Sequence, residues 1–109
     1  MKELVLEGTP ASQGSATGPA KILFPRQDIS GFKEGDILVT NMTDPSMVLV
    51  MSMASAIVTD IGGVTAHAAI LSRELGIPCV VATKLGTKTL KNGDQVYVDG
   101  TQGKVYKLK

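Results

Sequence analysis

An α/β domain with a mixed sheet is what this sequence predicts, and three observations carry the prediction. Between Ala56 and Ala82 a short β-branched run leads into a helical stretch and then a second apolar run; Gly76 ends the helix and Pro78 keeps it from resuming. A strand–helix–strand order of this length fits a right-handed parallel crossover. Near the C-terminus, two alternating segments flank Asp99-Gly100 and Gln102-Gly103, the signature of an antiparallel hairpin. Parallel and antiparallel pairing within 109 residues implies one domain, 1–109, whose mixed sheet packs with about two to three helices.

The elements follow in order. Leu4–Leu6 lies in an alternating stretch and reads as a strand. The segment TPASQGSATGPA, with Gly14, Gly18 and Pro19, reads as a tight ordered connection, and Ala20–Phe24 as the next strand. Gly35-Asp36 turns the chain into a strand over Ile37–Thr40. Thr43-Asp44-Pro45 starts a helix, because an oxygen-bearing side chain caps free N–H groups and proline suits the first turn. That helix, Pro45–Met53, carries Met47, Met51 and Met53 at helical spacing, as core filler does. Ala56–Thr59 is a strand, Val64–Leu75 a second helix, Cys79–Ala82 another strand, and Gln95–Val98 with Lys104–Leu108 form the hairpin.

Composition excludes several classes of function. Eleven Lys plus Arg against ten Asp plus Glu leave +1, which gives no electrostatic case for nucleic acid or an anionic membrane. No run of eighteen or more apolar residues is present, and the opening segment lacks the apolar middle of a signal peptide. Cys79 is the single cysteine, so no internal disulfide forms, and a cytoplasmic location is expected. Its apolar neighbours make it a buried spectator thiol. One His and one Cys twelve residues apart make no zinc site.

His67 is the only histidine, and it stands just after Gly62-Gly63 at the start of the second helix. On a helical wheel Val64, Ala68, Leu71 and Leu75 form the core stripe, and His67 lies roughly 80° from its centre, at the rim. Ala66, Ala69 and Ile70 flank it with small or apolar surface. In the first turn backbone N–H groups lack partners and the helix dipole favours anions. The glycines allow close backbone approach, and Thr65 offers a hydroxyl, as helix cap or as anion donor. The dipole also favours neutral imidazole, the nucleophilic form. Local chemistry therefore leaves two readings open: a phosphoryl acceptor, or a structural, hydrogen-bonding histidine.

The stretch GGVTAHAAILSRELGIPCVV resembles the phosphohistidine signature of the phosphoenolpyruvate-utilising enzymes, Gly-Gly-x-Thr-x-His-x-x-Ile-x-x-Arg-x-x-x-Ile/Leu-Pro. The match runs through Gly62, Gly63, Thr65, His67, Ala68, Ala69, Ile70, Arg73, Glu74, Gly76, Ile77 and Pro78. ASQGSATGPAKIL resembles the family's opening segment, DILVTNMTDPSMVLVMSMASAIVTDIGG the run into the histidine, and VYVDGTQGKVYKL the closing hairpin. The branch of phosphoenolpyruvate synthase and pyruvate phosphate dikinase is the most similar. The resemblance implies a swivelling β/β/α phosphohistidine domain. His67 would take and pass on phosphate, with Gly62, Gly63 and Thr65 supporting the anion. Ile70, Arg73 and Glu74 would serve docking or structure.

The implied partners are an ATP-grasp nucleotide-binding domain and a phosphoenolpyruvate/pyruvate barrel, neither of which fits within this chain. ATP and magnesium belong to those partners, no metal or cofactor being expected here, and the chain alone would not complete a reaction. Two positions depart from the pattern: Ala66 stands where Cys or Ser is frequent, and Cys79 where a small residue is frequent. Two alternatives share the motif: a docking or regulatory module without transfer chemistry, and the histidine domain of an antibiotic phosphotransferase.

Overall fold

Eight strands and three helices account for the chain in a computed structural model that describes residues 2–108. The strands are β1 (Lys2–Glu7), β2 (Thr9–Ser12), β3 (Ser15–Ile22), β4 (Ile37–Thr40), β5 (Ala56–Thr59), β6 (Cys79–Val81), β7 (Gln95–Asp99) and β8 (Lys104–Leu108). A 3-10 turn, Pro45–Met47, runs into α1 (Val48–Met53); α2 is His67–Leu75 and α3 is Gly86–Thr89. The strand order is β1-β8-β7-β3-β4-β5-β6-β2. Strands β3, β4, β5 and β6 pair in parallel, while β1, β8, β7 and β3 pair antiparallel and β2 closes the other edge against β6.

Strand periodicity explains how this sheet makes three layers. Along β4, β5 and β6 side chains alternate between two cores. Ile37, Val39, Ala56, Val58 and Val80 join Leu6, Val96, Val98 and Val105 of the antiparallel strands. Leu38, Ile57, Cys79 and Val81 face the other way, onto Met47, Val50 and Met51 of the first helical segment and Ala68 and Ala69 of α2. The parallel strands are thus covered on both sides, which is why they read as unbroken apolar runs. The result is the β/β/α layering expected from the resemblance, including the parallel β5–α2–β6 crossover and the β7–β8 hairpin. Met47 and Met51 are buried and Met53 packs beside them, as core filler should.

The first third departs from the expected connection. Thr9–Ser12 and Ser15–Ile22 are strands, so β3 begins five residues before the expected Ala20. Their Ser, Thr, Gly and Pro content hides the alternation that marks a strand. Gly18 is needed for close packing, because a Cβ there would lie 2.6 Å from the Gly35 carbonyl oxygen. Pro10 is tolerated because β2 is an edge strand. The strand expected to reach Ala82 stops at Val81, since Ala82 adopts a left-handed φ of 59°. The short α3 had no signal in the sequence. Asp60 anchors it from a distance, accepting from Thr87 N at 2.9 Å and Thr87 Oγ1 at 2.6 Å.

Helix α2 is shorter than expected. It starts at His67, with Val64 and Thr65 in a turn and Ala66 as an N-cap that makes no side-chain bond. Its core face is Ala68, Ala69 and Ser72, with Leu71 partly buried; Val64 and Leu75, placed on that face by the wheel, are exposed, and Ala69, placed at the rim, is fully buried. Small side chains let α2 lie close to the sheet, and this shifts the buried stripe from where large apolar residues would put it. Gly76 ends the helix at a left-handed φ of 74°. No helix among the described residues is long and apolar enough to cross a membrane.

Candidate functional site

The loops that follow β4 and β5 build the site, at the carboxyl ends of parallel strands where α/β sheets offer crevices. Past their strand ends the two segments stay joined: Asp60 N donates to Thr40 O at 3.0 Å and Ile61 N to Asn41 O at 3.0 Å. Thr59 Oγ1 donates to Ile61 O at 2.7 Å and tightens the exit. Gly62 then takes a φ of 131°, a conformation that side chains other than glycine rarely adopt. A Cβ on Gly63, by contrast, would meet nothing within 4 Å. The turn closes with Ala66 N donating to Gly63 O at 3.0 Å, and His67 follows as the first helical residue.

His67 is half-buried, and a 2.8 Å hydrogen bond joins its Nδ1 to Thr43 Oγ1. A hydroxyl can both donate and accept, so Thr43 serves either tautomer. Nε2 has no partner among the described residues. A pocket of about 170 Å³ surrounds the ring, lined by Met42, Thr43, Ile61, Gly62, Ala66, His67 and Ala68. No charged side chain among the described residues lines it. Exposed Met42, Ile61 and Val64 give the pocket and the loop beside it an apolar border. A nucleophilic nitrogen of fixed orientation, beside unpaired helix N–H groups and without a competing cation, can accept and release an anionic group.

Charge begins one residue from Thr43. Asp44 caps the 3-10 turn by accepting from Ser46 N at 2.9 Å and pairs with Arg26 at 2.8 Å. The Ser46 hydroxyl, with smaller help from the Ser46 N–H, Arg26 and His67, holds the Asp44 carboxyl below the ordinary carboxylate range. Thr43 itself, read from the sequence as part of a helix start, instead holds the imidazole. The signal that could have found it is positional: it is a hydroxyl residue just beyond a strand adjacent to the one preceding His67.

The other expected site residues fall in different places. Thr65 is exposed and its hydroxyl makes no hydrogen bond among the described residues, so it does not cap the helix. Ile70 and Glu74 are exposed on the outer face of α2. Arg73 donates from Nη1 to Ala11 O at 2.7 Å and from Nη2 to Val64 O at 2.6 Å, tying β2 to the loop before His67. A larger groove, about 1010 Å³ and lined by Pro10–Gly14, Arg73, Gly76, Gly100 and Thr101, shares no residue with the histidine pocket. Size alone does not make it the reactive site, for its lining holds no histidine, cysteine or carboxylate. Burial pushes the Cys79 thiol up to about 11, as befits a spectator. Among the described residues no three His, Cys, Asp or Glu side chains gather to hold a metal.

Comparison with known proteins agrees with this geometry. The chain is 59% identical over 105 residues to phosphoenolpyruvate synthase of Pyrococcus furiosus, an alignment that covers 96% of the chain and 13% of that relative. It therefore spans about 13% of the length of the curated relatives it matches first. Its fold is similar to a solution structure of an Enzyme I protein, with a TM-score of 0.64 and 35% identity, covering 74% of this chain and 34% of that one. The holo-form of Thermococcus kodakaraensis aconitase X shares the fold alone, at a TM-score of 0.73 and 20% identity over 100% of this chain and 99% of that one. The model of the PEP-utilising enzyme mobile domain matches residues 32–103, and the chain belongs to that family.

Proposed function

We propose that the chain is a phosphoryl carrier in which His67 Nε2 is the acceptor. One observation carries the reading: Thr43 holds Nδ1 while Nε2 opens to a pocket free of charged side chains. With the proton on Nδ1, donated to Thr43 Oγ1, the Nε2 lone pair attacks phosphorus. The N–P bond forms as the bond from phosphorus to the donor's leaving group breaks, and that group departs with the electron pair. The Nδ1 proton stays in place, so the ring remains a good leaving group when the next acceptor attacks. Gly62, Gly63 and Thr65 support the transferred group through close backbone approach and a free hydroxyl.

The same reading assigns donor and acceptor to other domains: an ATP-grasp nucleotide-binding domain and a phosphoenolpyruvate/pyruvate barrel. The names of the matched synthases and the small share of their length covered here support it. Magnesium and ATP belong with those domains, where the ion would screen phosphate charge. Exposure of His67 on one face suits alternate docking against two sites. A cytoplasmic setting fits these partners and a free, buried Cys79.

The test supplies a donor. Phosphate-labelled ATP and the nucleotide-binding domain of a matched synthase should place one label on the chain, and the barrel domain with pyruvate should remove it. A chain that takes label from neither ATP nor phosphoenolpyruvate with these partners contradicts the reading.

A further inference from the structure

Arg73 lies six residues beyond the nucleophile and does not line its pocket, yet its guanidinium is committed to the loop that carries His67. It spans Ala11 O in β2 and Val64 O in that loop, at 2.7 Å and 2.6 Å. The ion pairs among the described residues are Arg26–Asp44 and Lys107–Asp94, so Arg73 spends its charge on two carbonyls instead of a carboxylate. Charge-assisted bonds of this kind are the strong ones, and a planar fork fixes two acceptors where an ammonium would hold one.

The peptide plane turns this clamp into a statement about the site. In a trans peptide the carbonyl oxygen and the following N–H point in opposite directions. Pulling Val64 O toward Arg73 therefore turns the Thr65 N–H away from it. Among the described residues the N–H groups of Gly62, Gly63, Val64, Thr65, His67, Ala68 and Ala69 have no acceptor. Three of these belong to the first turn of α2 and are oriented by the helix. The Thr65 N–H lies outside the helix, and only the setting of its peptide plane decides where it points.

We propose that Arg73 is a positioning residue: by holding Val64 O it aims the Thr65 N–H at the phosphoryl group on His67, adding a fourth donor to the helical three. This inference rests on the carrier reading of His67. It also accounts for a motif cation that does not line the histidine pocket. The donor is neutral, so the transferred group is oriented without being trapped by a full positive charge.

The experiment uses the 109-residue chain with potassium phosphoramidate, a small donor that needs no partner protein; the P–N bond of the donor breaks and ammonia leaves with a proton from water. Amide NMR spectra are compared before and after phosphorylation for the wild-type chain, Arg73→Lys and Arg73→Gln. In the wild type the Thr65 amide proton should move downfield on phosphorylation, together with those of Ala68 and Ala69. In both variants the Ala68 and Ala69 responses should persist while the Thr65 response is lost, and phosphorylation should slow by about tenfold to a hundredfold, the scale for a misplaced group. A purely structural role would lower the melting temperature and leave the Thr65 response intact, which would overturn the proposal. If the variants do not fold, the wild-type spectrum decides: an unmoved Thr65 amide overturns it and a downfield shift sustains it. Failure of the wild-type chain to accept phosphate on His67 is a different result, one that removes the carrier reading and this inference with it.

Discussion

Thr43 decides which nitrogen of His67 is free. Thr43→Val keeps the shape and removes the hydroxyl, leaving the imidazole to rotate and to expose either nitrogen. The expected cost is about 1 kcal/mol of stability, the net value of one hydrogen bond, with phosphoryl acceptance slowed severalfold or more. Thr43→Ser should be close to wild type, and the test is labelling rate beside a thermal melt. The glycine pair separates in the same way. Gly62→Ala forces a side chain into a φ of 131° and should cost about 1 to 3 kcal/mol, whereas Gly63→Ala meets open space and should cost under about 1 kcal/mol. A denaturation series showing equal losses for the two would contradict this assignment. At Thr65, replacement by Val should raise the transfer barrier by about 1 to 3 kcal/mol, the scale of one oriented donor, while Ser keeps the rate.

Helix α2 works as an element because its buried face is made of small residues. Ala69 is fully buried against the sheet, so Ala69→Leu should overpack the interface and cost about 1 to 3 kcal/mol, more than Ile70→Ala on the exposed side. Urea denaturation of the two variants compares them directly. Cys79, on the β6 strand beneath this helix, links the element to pH. Its folded thiol sits at about 11 against an ordinary 9.0, so the unfolded chain gives up this proton first. The contribution is fully present below pH 9 and is lost as pH rises toward 11, with a total of about 3 kcal/mol. Cys79→Ala should flatten that alkaline fall in stability, and an unchanged pH profile would show that the thiol does not contribute. Much at this scale was legible beforehand. The β5–α2–β6 crossover, the methionine-filled first helix and the terminal hairpin follow from period and turn residues. The start of α2 was not, because Val64 and Thr65 fit a helical pattern that the loop geometry overrides. Strand β2 and the first five residues of β3 were hidden by their glycines, serines and prolines, and α3 by its dependence on Asp60.

At the scale of the whole molecule, the two cores share the parallel strands, so neither layer can open without exposing the other. One cooperative unfolding transition is expected, and calorimetry resolving two would contradict this interlock. The ends of the described chain are also joined, since Lys2 pairs with Leu108 across β1 and β8. His67 was legible in the sequence by its motif; its orienting partner Thr43 was not, for it sits 24 residues earlier and is brought near only by the β4–β5 pairing. The most direct measurement is the chemical state of His67 after exposure to a phosphoryl donor. One acid-labile, base-stable phosphate per chain is expected, attached to Nε2 as shown by ¹H–¹⁵N ring correlations, and none on His67→Ala. Phosphate on Nδ1, or an acid-labile phosphate that persists in His67→Ala, would contradict this expectation.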